Sequence, residues 1–108
     1  MNRGKKFDKK KNKFTKNMYH LLPMREMDEV VSVLTFGANK YGEDDWKHFV
    51  KRNDNYKRYI SASLRHVSAF MRNDDNDDET ECHHLAHAIC CLLFVLWNNN
   101  ERRDDKNK

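Results

Sequence analysis

An all-α fold, with three main helices per chain packing into a helical-bundle homo-oligomer, is predicted by three observations on this 108-residue chain. One proline and three glycines suit a helical protein better than a turn-rich sheet protein. Apolar residues recur at helical spacing in three separate stretches, and no run alternates in the manner of a strand. The length implies one domain near the lower limit for a self-sufficient core, so apolar surface in excess of what one chain buries is expected to meet a second copy.

Residues 1–17 form the first unit, a basic tail expected to be disordered. They hold eight Lys/Arg and one Asp, a charge of +7, against −3 for the rest of the chain. Such a block is usually solvated, with weak contact to nucleic acid or another polyanion as its alternative use. The helical domain is assigned to residues 18–98. Its first helix is expected to start after Pro23 and run through MREMDEVVSVLTFGANKY, with Met27, Val30, Val31, Leu34, Ala38 and Tyr41 inward and Gly42 as its stop.

Trp46 to Asn53 reads as a connection containing at most a short helical turn. The 3.6-residue period resumes in YKRYISASLRHVSAFMR, where Tyr56, Tyr59, Ile60, Ser63, Val67, Phe70 and Met71 form the inward side. NDDNDD then predicts a solvated loop, because it lacks the glycine and terminal glutamate of a calcium-binding loop. Thr80 is the expected cap of a third helix running to about Trp97. There Leu85, Ala88, Ile89, Leu92, Leu93 and Leu96 cover more than half the circumference, the surplus that predicts a subunit interface. Residues 99–108 are expected to form a frayed polar tail.

No segment resembles the apolar core of a signal peptide, and AICCLLFVLW is about half the length of a membrane-spanning helix, so a cytoplasmic protein is expected. Cys82, Cys90 and Cys91 make a poor disulfide framework, and the adjacent pair is expected to be reduced and buried.

The groups able to do chemistry are spread over the helices. Glu26 and Glu29, three residues apart, share a face and could hold a hard divalent cation, although acids at a helix start also complement its dipole. His66 borders the buried side of the second helix, as a ligand or as a hydrogen-bonded core residue. On the third helix Glu81, His84, His87 and Cys91 follow one stripe, while His83 is expected to point away. Without a CxxC pair or HExxH, a structural zinc site is the minor reading there. In GANKYGEDDW, Gly37 permits close approach of a backbone or ligand, Lys40 suits phosphate, Tyr41 or Trp46 suits a base, and Asp44 or Asp45 suits a metal or proton. Each also has a plain role, Trp46 as a core plug among them.

VLTFGANKYGEDDW, then RYISASLRHVSAFMR, then DDETECHHLAHAICCLLFVLW resemble the phage-type dATP/dGTP diphosphohydrolase family, related to the all-α nucleoside triphosphate pyrophosphohydrolases. The likeness covers roughly residues 21–98. It implies a helical oligomer that uses Mg²⁺ or Mn²⁺ to cut a purine deoxynucleoside triphosphate between its α and β phosphates. By the same resemblance, Glu26, Glu29, Glu79, His84 and His87 are candidate metal ligands, and Glu29, Lys40, Arg65 and His66 are candidate catalytic residues. Gly37, Lys40, Tyr41, Asp45 and Trp46 are candidate nucleotide-binding residues. Two positions depart from the family pattern: Asp45 stands where Asn is common, and Glu81 stands where Gly is usual. Besides hydrolysis, the sequence leaves open sequestration of an intact nucleotide and, as a third reading, a DNA-associated oligomer using the basic tail.

Overall fold

The computed structural model describes residues 16–106, all-helical apart from loops and one isolated antiparallel bridge between Asn76 and His83. The expected basic tail therefore lies almost wholly outside the described residues. Four α-helices follow a short 3-10 turn at Tyr19–Leu21: α1 at Met24–Tyr41, α2 at Asp45–Lys51, α3 at Tyr56–Met71 and α4 at His84–Lys106. The three main helices are joined by one more than expected, since the Trp46 connection is itself helical. No helix among the described residues is long and apolar enough to cross a membrane.

Helix α1 has the bounds its sequence predicts. Pro23 precedes it in an extended conformation, and the Gly42 N–H closes it by donating to the Ala38 carbonyl. Gly42 holds φ 111° and ψ 147°, a conformation costly for any residue with a Cβ. Gly42→Ala is expected to lower the unfolding free energy by about 1–3 kcal/mol, measured by urea denaturation.

Helix α4 is the axis of the packing: α3 lies against it most extensively, and α1 and α2 also rest on it. Val30 of α1 meets Ala86 and Cys90 of α4 in the buried core, flanked by Met27, Val33, Leu34 and Phe94. The Cys90 thiol donates to the Val30 carbonyl at 3.4 Å, and the Ser63 hydroxyl donates to the Ala88 carbonyl at 3.2 Å. Both bonds cross between helices, which registers α1 and α3 on α4. A second, aromatic layer joins α2 to the rest: Trp46 stacks on Phe94 at 4.2 Å, and the Trp97 and Tyr59 edges close around them.

Several sequence expectations need correction. Val31 and Tyr41 on α1, and Phe70 and Met71 on α3, are exposed rather than inward, because the periodicity sets a face without setting how much of it a neighbouring helix covers. Ile89, Leu92, Leu93 and Leu96 are exposed on α4, in keeping with the apolar surplus expected there. Thr80 is not the cap of α4; its hydroxyl is used inside the preceding turn, and the helix starts four residues later. His83 does not point away: its Nδ1 accepts the Leu85 N–H at 3.0 Å, and its ring lies 5.5 Å from Phe70. At the other end α4 continues past Trp97 to Lys106, with Asn98 buried and Glu101 reaching Lys51 at 4.0 Å. Residues 99–106 are thus helix, not frayed tail.

Candidate functional site

A cleft of about 710 Å³ lies where the C-terminal half of α1, the α1–α2 turn and α2 face α4 and the end of the acidic loop. Its size is that of a small-molecule site. Gly37, Lys40, Tyr41, Asp45 and Trp46 all line it, joined from the other side by Glu79, Thr80 and His87. The five residues assigned from sequence to the nucleotide thus share one cavity. A Cβ built on Gly37 meets nothing within 4 Å, so this glycine is not required by protein packing; it widens the cleft.

Charge at the mouth is organised by an ion pair between Lys40 and Glu79. The hydrogen bond to Glu79 holds the Lys40 ammonium above its ordinary 10.5, helped by Tyr41, whose ring lies 5.2 Å from Nζ. The pair is solvent-exposed, so it costs little to open. Trp46 contributes to the wall, but Phe94 and Trp97 already pack against it, which is the core-plug role.

Behind the Thr80–His87 wall lies an imidazole cluster. His66 of α3 stacks on His87 at 4.6 Å with 12° between planes, and its Nδ1 lies 2.8 Å from Nδ1 of buried His84. His84 Nε2 lies 3.3 Å from the Asp74 carboxylate, so Nε2 donates there and Nδ1 accepts the proton on His66. The acidic loop is not a simple solvated turn. Asp77 Oδ2 accepts from the Glu79 N–H at 3.1 Å, the Thr80 N–H at 3.0 Å and the Thr80 hydroxyl at 3.2 Å. With its one proton so used, Thr80 Oγ1 accepts from Cys82 N–H and from His87 Nε2 at 2.7 Å. Glu81, at the position where the resemblance sets a glycine, has φ 61°, so the loop keeps a left-handed turn despite the side chain.

Asp74 and Asp77 are functional-type contacts that the sequence reasoning missed. Their signal was local: an aspartate three residues before Thr80, and acids within reach of a histidine-rich helix start. Conversely, Glu26 and Glu29 stand exposed near the start of α1, where Glu26 pairs with Arg25. At the helical rise, Glu26 is about 20 Å along the axis from Lys40. Neither acid lines the cleft, nor does exposed Arg65. Among the described residues, one group of three His/Cys/Asp/Glu side chains brings its ligand atoms within 4.8 Å of one another: His66, Asp77 and His84. Glu26, Glu29, Glu79 and His87 are outside it, Glu79 and His87 lining the cleft instead.

Desolvation, reinforced by the neighbouring imidazoles, lowers His66 and His87 below their ordinary 6.5. Partial burial alone would raise Asp77, but hydrogen bonds from Thr80 and the nearby His87 and His66 outweigh it and hold its carboxyl below 3.8. The native histidines bind fewer protons than the unfolded chain, so stability rises with pH through this range. The apparent melting temperature is expected to fall as pH drops below about 6.5 toward the lowered native values. His66→Gln combined with His87→Gln flattens that slope, measured by calorimetry across pH. Cys90 and Cys91 are buried, their thiols pushed up to about 12 and about 11, and all three cysteines are free, as the sequence led us to expect.

This all-helical chain thus carries a cleft lined by two lysines, four carboxylates and several aromatic rings, with an imidazole cluster behind it. Comparison places the chain in a family. The family described as "dATP/dGTP diphosphohydrolase, N-terminal" matches residues 3–108, and the chain belongs to that family. A protein of Salmonella phage PMBT28 named dATP/dGTP diphosphohydrolase is 36% identical over 105 residues, covering 95% of this chain and 33% of the relative. The chain therefore spans about a third of the length of that curated relative. No solved structure matches the chain.

Proposed function

We propose that the chain takes part in hydrolysing purine deoxynucleoside triphosphates of the dATP/dGTP type to monophosphate and pyrophosphate. The observation that carries this reading is the convergence of Gly37, Lys40, Tyr41 and Glu79 on one cleft, in a chain of this family. Lys40 releases Glu79 and takes the phosphate charge; Gly37 leaves room for the nucleotide; Tyr41 offers a ring to the base. His87, held neutral at pH 7 by burial, is a proton acceptor at the wall. A divalent cation, Mg²⁺ or Mn²⁺, belongs to the proposal; it would supply charge neutralisation for the triphosphate and lower the pKa of a nearby water. Glu79 and Asp45 are cleft-lining carboxylates that would help to hold it, whereas Glu26 and Glu29 lie outside the cleft.

The placement of those two acids favours one second reading, that the cleft holds a nucleotide without cutting it. The two readings separate when purified protein is incubated with each dNTP and NTP in Mg²⁺, Mn²⁺ or chelator, and products are resolved by chromatography. Monophosphate and pyrophosphate formed only with metal, and most readily from dATP and dGTP, meet the proposal. Intact nucleotide recovered under every condition overturns hydrolysis and leaves sequestration.

A further inference from the structure

We infer that His66, Asp77 and His84 form a site for one transition-metal dication, which fastens the 72–83 loop to the two helices it connects. The inference does not depend on what the cleft binds. Ligand atoms of the three side chains lie within 4.8 Å of one another, drawn from α3, the loop and the start of α4. Two imidazoles with one carboxylate suit manganese, iron, cobalt or zinc, whereas magnesium prefers oxygen ligands throughout.

The orientation of each donor is already set. His84 is buried, and Asp74 at 3.3 Å takes its Nε2 proton, which turns the Nδ1 lone pair toward His66. A carboxylate behind a metal-binding imidazole commonly fixes tautomer and ring angle in this way. The two Nδ1 atoms are 2.8 Å apart, near the spacing of about 3 Å between neighbouring ligands whose bonds to a common cation are about 2.1 Å. When His66 Nδ1 binds, the ring carries its proton on Nε2 instead, so the pair exchanges a shared proton for a shared cation. Asp77 is held by three donors on Oδ2 from Glu79 and Thr80. The carboxylate thus needs little further ordering.

The site also has a structural task to perform. Asn73 and Glu81, near the two ends of the loop, hold φ 69° and 61°, and short hydrogen bonds link it to α3 and α4. A cation joining His66, Asp77 and His84 closes that loop at its centre. Since His87 stacks on His66 and bonds to Thr80, the same cation steadies the inner wall of the cleft without lining it.

The test is made without nucleotide. Chelator-stripped full-length protein is titrated with Co²⁺, followed by visible absorption, and bound metal is counted by elemental analysis after gel filtration. One Co²⁺ per chain is expected, displaced by Zn²⁺ and not by a large excess of Mg²⁺. Asp77→Asn and His66→Gln each abolish the stoichiometric site, Asp74→Asn weakens it by about 10–100-fold, and exposed Asp78→Asn leaves it unchanged. Circular dichroism checks that each variant is folded; His66 is only half-buried, so His66→Gln preserves the test if His84 replacements unfold. Absence of stoichiometric Co²⁺, displacement by Mg²⁺, or full binding by folded His66→Gln and Asp77→Asn variants overturns the site. Loss of metal with hydrolysis intact, or the reverse, separates this inference from the proposed activity.

Discussion

Replacing Lys40 with Met is expected to lower kcat/KM for dGTP by about 10²–10³-fold, in steady-state assays by chromatography. The size follows from what one charged donor contributes when it is aimed at negative charge developing in the transition state. Lys40 is the cleft-lining cation of α1, and its partner Glu79 sits across the mouth, so removing the ammonium also leaves a carboxylate facing the phosphates. Glu79→Gln is the informative companion. It frees Lys40 from its ion pair, so weaker inhibition or tighter nucleotide binding in that variant assigns Glu79 a gating role, and a loss comparable to Lys40→Met assigns it to the reaction. Neither change should disturb folding, since the pair is exposed.

Phe94→Ala is expected to cost about 3 kcal/mol of unfolding free energy, measured by urea denaturation. Phe94 holds the two packing layers together. It touches the Val30, Ala86 and Cys90 core, stacks on Trp46 at 4.2 Å and meets the Tyr59 edge at 5.0 Å. It is also half-buried at the floor of the cleft, which places the expected cost at the low end of the range for a fully enclosed ring. Because Trp46 loses its stacking partner, the α2 segment is expected to loosen first, with nucleotide affinity falling before global unfolding is complete.

Which parts of this fold were legible in the sequence follows from how local their causes are. Helix α1 was read correctly at both ends because Pro23 and Gly42 act through their own backbone geometry, and α3 because its apolar period is strong and NDDNDD breaks it. The start of α4 was misread because Thr80 looks like a cap in sequence. In space its hydroxyl is already engaged by Asp77, Cys82 and His87, contacts that only the folded loop creates. The extension past Trp97 was missed since a polar run carries no apolar period, although nothing in NNNERRDDK breaks a helix.

The candidate site divides in the same way. Gly37, Lys40, Tyr41, Asp45 and Trp46 fall within ten residues, so their convergence on one cleft follows almost directly from the helix and turn that carry them. Asp74 and Asp77 were hidden because their importance depends on the loop folding back onto His84 and His66. Glu26 and Glu29 show the opposite failure: the i, i+3 spacing does put both on one exposed turn, but spacing within a helix says nothing about which neighbour that turn will face.

That the cleft beside Gly37 holds the nucleotide is the proposal on which the rest depends. It is tested most directly by calorimetric binding of a dGTP analogue with a methylene between its α and β phosphates, in Mg²⁺, to the native chain and to Gly37→Leu. A Cβ at that position meets nothing within 4 Å and leucine favours a helix over glycine, so the variant should fold. Saturable binding to the native chain, and its loss in Gly37→Leu at unchanged helical content, are expected. Equal affinity in the two proteins contradicts it.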